Sequence, residues 1–379
     1  MTFHADLHGL DRLAGALENA AADVGQITWR IRNKADVGLG GEGLINALRF
    51  GVQHSYQWGQ EHSDHISRLL TASATGVRFA RKQYAETDDR SARDFDLLFR
   101  DPSPDRRAAL DAAAPPRTGG VLFGNAGAVD PEWFLDRGHH AENPPDFTVT
   151  YNYLVDTLSP SANVRIIVYK LFGKDIFEAF LKDLSGDWNG LWNAGTEFGN
   201  CAPAMEAVGR NVCAIADDLP AVWRGEAADA CHVYLRNLGL AIQGQAQLYR
   251  MVGEKYRTAA EYSWSQFDLM GVALGKILDQ LVVLAVAVAA GTATIETGLG
   301  AIIGYGASLY LVLSIFQLWE EFTGFYDKVD IALKVADTAM RSLGGTNGGL
   351  CPRPLPPEPY MFQHHKAGPQ PPDFPREQP

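Results

Sequence analysis

The sequence predicts an all-α protein built from long antiparallel helical hairpins, four-helix-bundle-like, with apolar C-terminal helices and a disordered Pro-rich tail. Three observations carry this prediction. Apolar residues recur at alternating spacings of three and four, the rhythm of helices packed almost parallel to a partner. Glycine and proline interrupt that rhythm at only a few places. Beyond residue 280, two stretches separated by a single glutamate carry no charge.

The first element is a hairpin in residues 1–100. Leu10, Leu13, Leu17, Ala20, Val24, Ile27 and Ile31 form its first seam. The cluster Gly38-Leu39-Gly40-Gly41 breaks the helix, since glycine lowers helix propensity and permits a turn. A second helix carries Ile45, Leu48, Val52, Ile66, Leu69, Leu70 and Val77 and runs to about Tyr84. Its middle, from Gln53 to His65, is polar and weakly patterned.

Residues 101–147 read as a linker. Seven prolines fall between Asp101 and Pro145, and proline removes a backbone donor and clashes inside a helix. One short helix is expected near Arg106 to Ala113.

Residues 148–270 form a second helical domain. Helical sequence resumes near Thr148, breaks at Pro160 and reaches about Leu184. Leu191, Phe198, Met205, Val212 and Leu219 then repeat every seven residues, with Pro203 as a notch inside the arm. Leu235, Leu238, Ile242, Tyr249, Val252 and Tyr256 supply the returning seam, in which Gln245 is the polar exception. The turn between the arms is Leu219-Pro220-Ala221-Val222-Trp223-Arg224-Gly225-Glu226. Pro220 helps stop the first arm, and Gly225 allows a positive φ. Glu226 and Asp229 face the positive end of the next helix dipole. Trp223 is expected to cover the end of the hairpin.

The order Gly186-Asp187-Trp188, a long arm, Trp223-Arg224-Gly225, then Glu226-Ala227-Ala228-Asp229-Ala230 resembles the Trp-X-Gly (WXG) superfamily of type VII (ESX) secretion substrates of actinobacteria. The resemblance covers about residues 180–265. Residues 1–95 are similar to the short EspC-like proteins of the same pathway, with Leu39 and Gly41 standing where Trp223 and Gly225 stand in the second hairpin. The first hairpin departs from the motif by lacking the Trp. The resemblance implies a non-enzymatic exported substrate or structural component that needs no cofactor. It implies a Tyr-x-x-x-Asp signal read by the secretion ATPase, and Tyr84 and Asp88 match that spelling after the first hairpin. On a helix these two residues share one face. Tyr326 and Asp330 match it too, in a less suitable position. The expected location is the cell envelope or the medium. The N-terminus shows no basic region followed by an apolar run, so no cleavable signal peptide is expected. The expected partners are the secretion machinery, and a second helical hairpin or another copy of the chain.

Cys213 and Cys231 lie on opposite arms, near the same height if the turn centres on Val222. A disulfide between them would suit an exported protein, and two buried free thiols are the other reading. Cys201 and Cys351 suggest no pairing.

Residues 271–345 are the apolar segment. Leu281 to Ile295 and Thr297 to Trp319 are uncharged, and only Glu296 separates them. The second stretch is long enough for a bilayer, which takes about 20 apolar residues. Two readings stand: a membrane-active effector or pore using 281–319, or two buried helices of a soluble bundle. A last amphipathic helix, Glu320 to Leu343, precedes the tail at 346–379.

Composition narrows the function further. The net charge of -12 argues against nucleic acid, which selects basic surfaces. No phosphate loop, His-Glu-x-x-His or Gly-x-Ser-x-Gly occurs. The pairs His139-His140 and His364-His365 read as loop polarity rather than a metal site, so neither catalytic nor metal residues are expected.

Overall fold

The apolar seams fold into helices that bury every residue named in them. A computed structural model describes residues 4–39, 42–86, 129–136, 147–289, 306–342 and 354–359. The described elements are β1 (His4–Ala5), α1 (Leu7–Lys34), α2 (Arg49–Glu86), α3 (Pro131–Asp136), α4 (Phe147–Thr157), α5 (Ala162–Phe172), α6 (Ile176–Leu184), α7 (Trp188–Asp218), β2 (Trp223–Arg224), α8 (Glu226–Ala289) and α9 (Gly306–Arg341). Among the described residues the fold is all-α apart from one two-stranded antiparallel pair, β1 with β2.

The two predicted hairpins pack on each other as one four-helix bundle. α1 runs antiparallel to α2, and α7 antiparallel to α8. α1 also lies against α7 in the opposite direction, since Arg30 pairs with Glu197 at 3.7 Å while Gly9 abuts Val222 at the other end. α2 meets α8 the same way, with Tyr84 beside Trp223 and Ser55 beside Tyr256. The seam residues Leu10, Leu17, Val24 and Ile31 of α1 and Phe198, Met205 and Val212 of α7 are buried in one shared core. α7 and α8 approach closely where Gly195 meets Gly253, because a Cβ at either would strike the other backbone.

The weakly patterned middle of α2 has a structural purpose. Ser55, Gly59 and Ser63 lie one turn apart on a buried face. Their small size admits the large rings of Tyr249 and Tyr256. The Tyr256 hydroxyl lies 2.6 Å from Ser55 Oγ and donates to the Val52 carbonyl at 3.1 Å. Thr28 Oγ1 donates to Ser63 Oγ at 2.8 Å, tying α1 into the same network. The buried hydroxyls of Thr28, Ser55, Ser63 and Tyr256 are thus bonded to one another or to backbone carbonyls, which offsets the cost of burying them.

Three findings refine the expected boundaries. α8 is one continuous helix of 64 residues, so the boundary expected at 270 falls inside it. The region between 148 and 184 breaks twice, after α4 near Pro160 and again at Gly173, where φ is +72°. Part of the expected linker is structured: α3 packs on α7, and Asn211 bonds both the N–H and the carbonyl of Val129. The short helix expected near Arg106 lies outside the described residues.

Beyond Phe267, which meets Trp188 at the start of α7 edge to face, α8 continues past the bundle. α9 returns alongside it, with Gln280 donating to Ser314 at 2.9 Å. The far end of α9 reaches the start of α2, where Asp337 accepts the Gly51 N–H and pairs with Arg341 at 2.9 Å. α4 to α6 cover one side of this extension through Phe172 on Trp319 and Phe180 on Phe322. Of the tail expected to be disordered, residues 354–359 are described. There Leu355 packs partly buried against the bundle.

Candidate functional site

The candidate site is the end of the bundle where both predicted motifs meet. α7 stops at Asp218, and a 3-10 turn, Leu219–Ala221, follows with Pro220 in its first turn. The chain then runs extended through Trp223 and Arg224, antiparallel to His4 and Ala5. The Asp6 N–H donates to the Val222 carbonyl at 2.8 Å, and the Asp6 side chain accepts the His8 N–H to start α1. Gly225 has φ +138°, a conformation that L side chains rarely adopt. It lets the chain turn directly into α8, whose first turn carries Glu226 and Asp229 as expected.

Trp223 is 4% exposed and points into the bundle rather than outward. Its ring meets the ring of Tyr84 edge to face, with centroids 6.0 Å apart and planes at 71°. No hydrogen-bond partner for the buried Trp223 indole N–H lies among the described residues. Arg224 is exposed and donates to the Pro220 carbonyl at 3.0 Å. The sequence-predicted signal tyrosine and the turn tryptophan are therefore one packed unit. Asp88 lies outside the described residues.

The opposite end of the bundle holds the first hairpin's turn. Leu39 is partly buried against the core, and Gly41 lies outside the described residues. The positive φ that Gly225 supplies in the second turn is supplied here by Gly43, at +119°. This glycine abuts Ser185, whose hydroxyl donates to the Glu42 carbonyl at 2.8 Å. The two turns thus share a device, but it falls two positions later than the Gly41–Gly225 match implies. A cavity of about 320 Å³ lies nearby, lined by Phe147, Tyr151, Trp188, Trp264 and Phe267.

The structure overturns the disulfide reading. Cys201, Cys213 and Cys231 are free thiols. Cys213 lies against Gly239 and near the Arg236 carbonyl, not against Cys231. The reason is the path of the turn. The 3-10 turn Leu219–Ala221 and the strand pair Trp223–Arg224 lie between the arms, and α8 begins only at Glu226, so the hairpin does not fold back symmetrically about Val222. Cys231 then sits beyond the level of Cys213. Burial raises the Cys213 thiol pKa and pushes that of Cys231 up to about 12.

The second signal-like pair is engaged structurally. Tyr326 lies close enough to Asp183 to affect its ionisation, and Asp330 pairs with Lys334 at 2.6 Å. Among the described residues no group of three or more His, Cys, Asp or Glu side chains could hold a metal ion. His62 is half-buried, with its Nε2 shielded from solvent, and stacked on Trp58 with ring centroids 5.1 Å apart. Burial, and then the nearby His65, lower its pKa to about 4. No protein-family model, no curated protein and no solved structure matches this chain.

Sequence reasoning missed the β1 strand, the meeting of Tyr84 with Trp223 and the small-residue face of α2. Only the last left a readable trace, the four-residue spacing of Ser55, Gly59 and Ser63. The other two depend on how two hairpins distant in sequence dock.

Proposed function

We propose that this protein is a non-enzymatic substrate or structural component of a type VII secretion system, recognised as a folded helical bundle. The observation that carries the reading is the contact of Tyr84 with Trp223, which gathers the two motif elements at one end of the bundle. In this reading the chain supplies both hairpins itself and needs no second chain to complete the four helices. The secretion ATPase would read the residues that follow α2, Asp88 among them, in the frame that the Tyr84–Trp223 unit fixes. The protein would act outside the cytoplasm, in the envelope or the medium, without a cofactor.

Export from an actinobacterial host carrying such a system tests the reading. The wild type is expected outside the cell. Asp88→Ala is expected to stay inside at normal abundance, because that change leaves the Tyr84 and Trp223 rings in place. Tyr84→Phe keeps the ring and separates packing from hydroxyl recognition. If wild type and Asp88→Ala reach the medium equally, the signal reading fails. If the wild type also remains inside, so does the secretion reading.

A further inference from the structure

The extension of the α8–α9 hairpin beyond the four-helix bundle is only half covered. α8 is long and apolar enough to cross a membrane by length and composition, and its most apolar 18-residue window has a mean hydropathy of 1.9. Only 33% of that window is buried, whereas a core helix of a soluble protein is mostly buried. Leu281, Leu284, Val312 and Ile315 face the partner helix. Val282, Val283, Val286, Tyr310 and Leu313 face away, between 46% and 71% exposed. Such a concentration of large exposed apolar side chains marks a contact surface.

Charge says what kind of surface it meets. The described part of α8 beyond Asp279 and the part of α9 before Glu320 carry no charge. The border between the charged and uncharged parts is occupied by α5, whose Phe172 packs on Phe316 and Trp319. One exposed face of α5 and the turn after it interleaves Arg165, Ile166, Tyr169, Lys170 and Lys174. In a chain of net charge -12, this short stretch carries three basic residues against one acid, the buried Asp175; Arg165 pairs with that acid at 3.6 Å, and Lys170 and Lys174 are exposed. The same border carries exposed Asp279, Glu320 and Glu321 on α8 and α9, so the basic side is that of α5, and on that side apolar side chains beyond aromatic and basic ones suit an anionic lipid surface. Hydrocarbon takes the first group, and tyrosine, tryptophan, lysine and arginine sit at the headgroups.

We propose that this end of the protein docks into anionic membranes. Val282, Val283, Val286 and Leu313 enter the acyl region, and Lys170 and Lys174 lie at the lipid phosphates. The surface excludes Tyr84 and Trp223, so it stands or falls separately from the export reading.

Flotation of the full chain with vesicles tests the proposal. The wild type is expected to float with phosphatidylcholine mixed with phosphatidylglycerol, and to float less in high salt or with phosphatidylcholine alone. Val283→Asp with Val286→Asp, and separately Leu313→Asp, should each reduce partitioning by on the order of tenfold or more. These positions are exposed, so the helical circular dichroism signal should not change. Lys170→Gln with Lys174→Gln should remove the preference for phosphatidylglycerol. The proposal is overturned if the wild type binds neither vesicle, or if the aspartate variants bind as well as the wild type. It is also overturned if those variants only convert a self-associated species to a monomer in lipid-free size exclusion, which would assign the surface to a second copy.

Discussion

The ring of Tyr84, at the end of α2, stands edge to face on the ring of Trp223, in the turn before α8, with 6.0 Å between centroids. Both rings are at most 9% exposed, so the contact is part of the core and not a surface ornament. It joins the end of the first hairpin to the turn of the second. The pairing of His4 and Ala5 with Arg224 and Trp223 closes the same end from the α1 side.

Trp223→Ala is expected to cost about 3–5 kcal/mol of stability, the range for truncating a buried aromatic side chain. Tyr84→Ala should cost less in the Trp223→Ala background than in the wild type. The coupling in this double-mutant cycle should be about 0.5–1.5 kcal/mol, measured by guanidinium unfolding. Strict additivity would mean that the ring contact contributes nothing of its own.

Gly225→Ala is expected to destabilise by about 1–3 kcal/mol, because φ of +138° suits only glycine. Its neighbour provides the control. Arg224→Ala is exposed and should stay within about 0.5 kcal/mol of the wild type. Equal thermal shifts for the two variants would contradict the turn geometry.

Cys213 and Cys231 should not form an intramolecular disulfide under mild oxidation. Mass spectrometry of non-reduced, alkylated peptides should recover both as separate modified thiols. In the native state at pH 8 they should alkylate slowly, since burial raises both pKa values and keeps the thiolate fraction small. Unfolding should make labelling fast. A cross-linked 213–231 peptide would show that α8 starts nearer to α7 than it does here.

His62 gives stability a defined pH dependence. Its folded pKa is near 4, below the ordinary value of 6.5, because burial disfavours the imidazolium. Above pH 6.5 the ring is neutral in both the folded and the unfolded chain, and its burial carries no proton cost. As pH falls from 6.5 to 4 the unfolded chain takes up the proton first, so stability is lost across that window. Urea midpoints measured at pH 7 and pH 4.5 should therefore differ, and His62→Gln should narrow the gap. An unchanged gap in that variant would assign the pH dependence to other groups.

Much of the fold was legible because helix burial is periodic in sequence. The spacing of Leu10 to Ile31 and of Leu191 to Leu219 identified two buried faces correctly, and all those residues are in the core. The turn at Pro220 to Gly225 was legible for the same local reason, since proline and glycine act on their own backbone. The disulfide reading failed because height along a hairpin depends on the path of the turn, which here takes a 3-10 turn and a short strand before α8 begins and sets Cys213 against Gly239.

By itself, then, the sequence determined the long arms of the two hairpins, the apolar face of each arm and the turn at Pro220 to Gly225. Those properties follow from side-chain periodicity and backbone chemistry within a few residues. Only the tertiary structure decided that the two hairpins close on each other, that Tyr84 rests on Trp223, and that Cys213 faces Gly239. It also decided which apolar residues of α8 and α9 face each other and which are left uncovered. These relations are contacts between segments far apart in the chain. They are set by how whole helix faces fit together, and that fit is not written in the spacing of either helix alone.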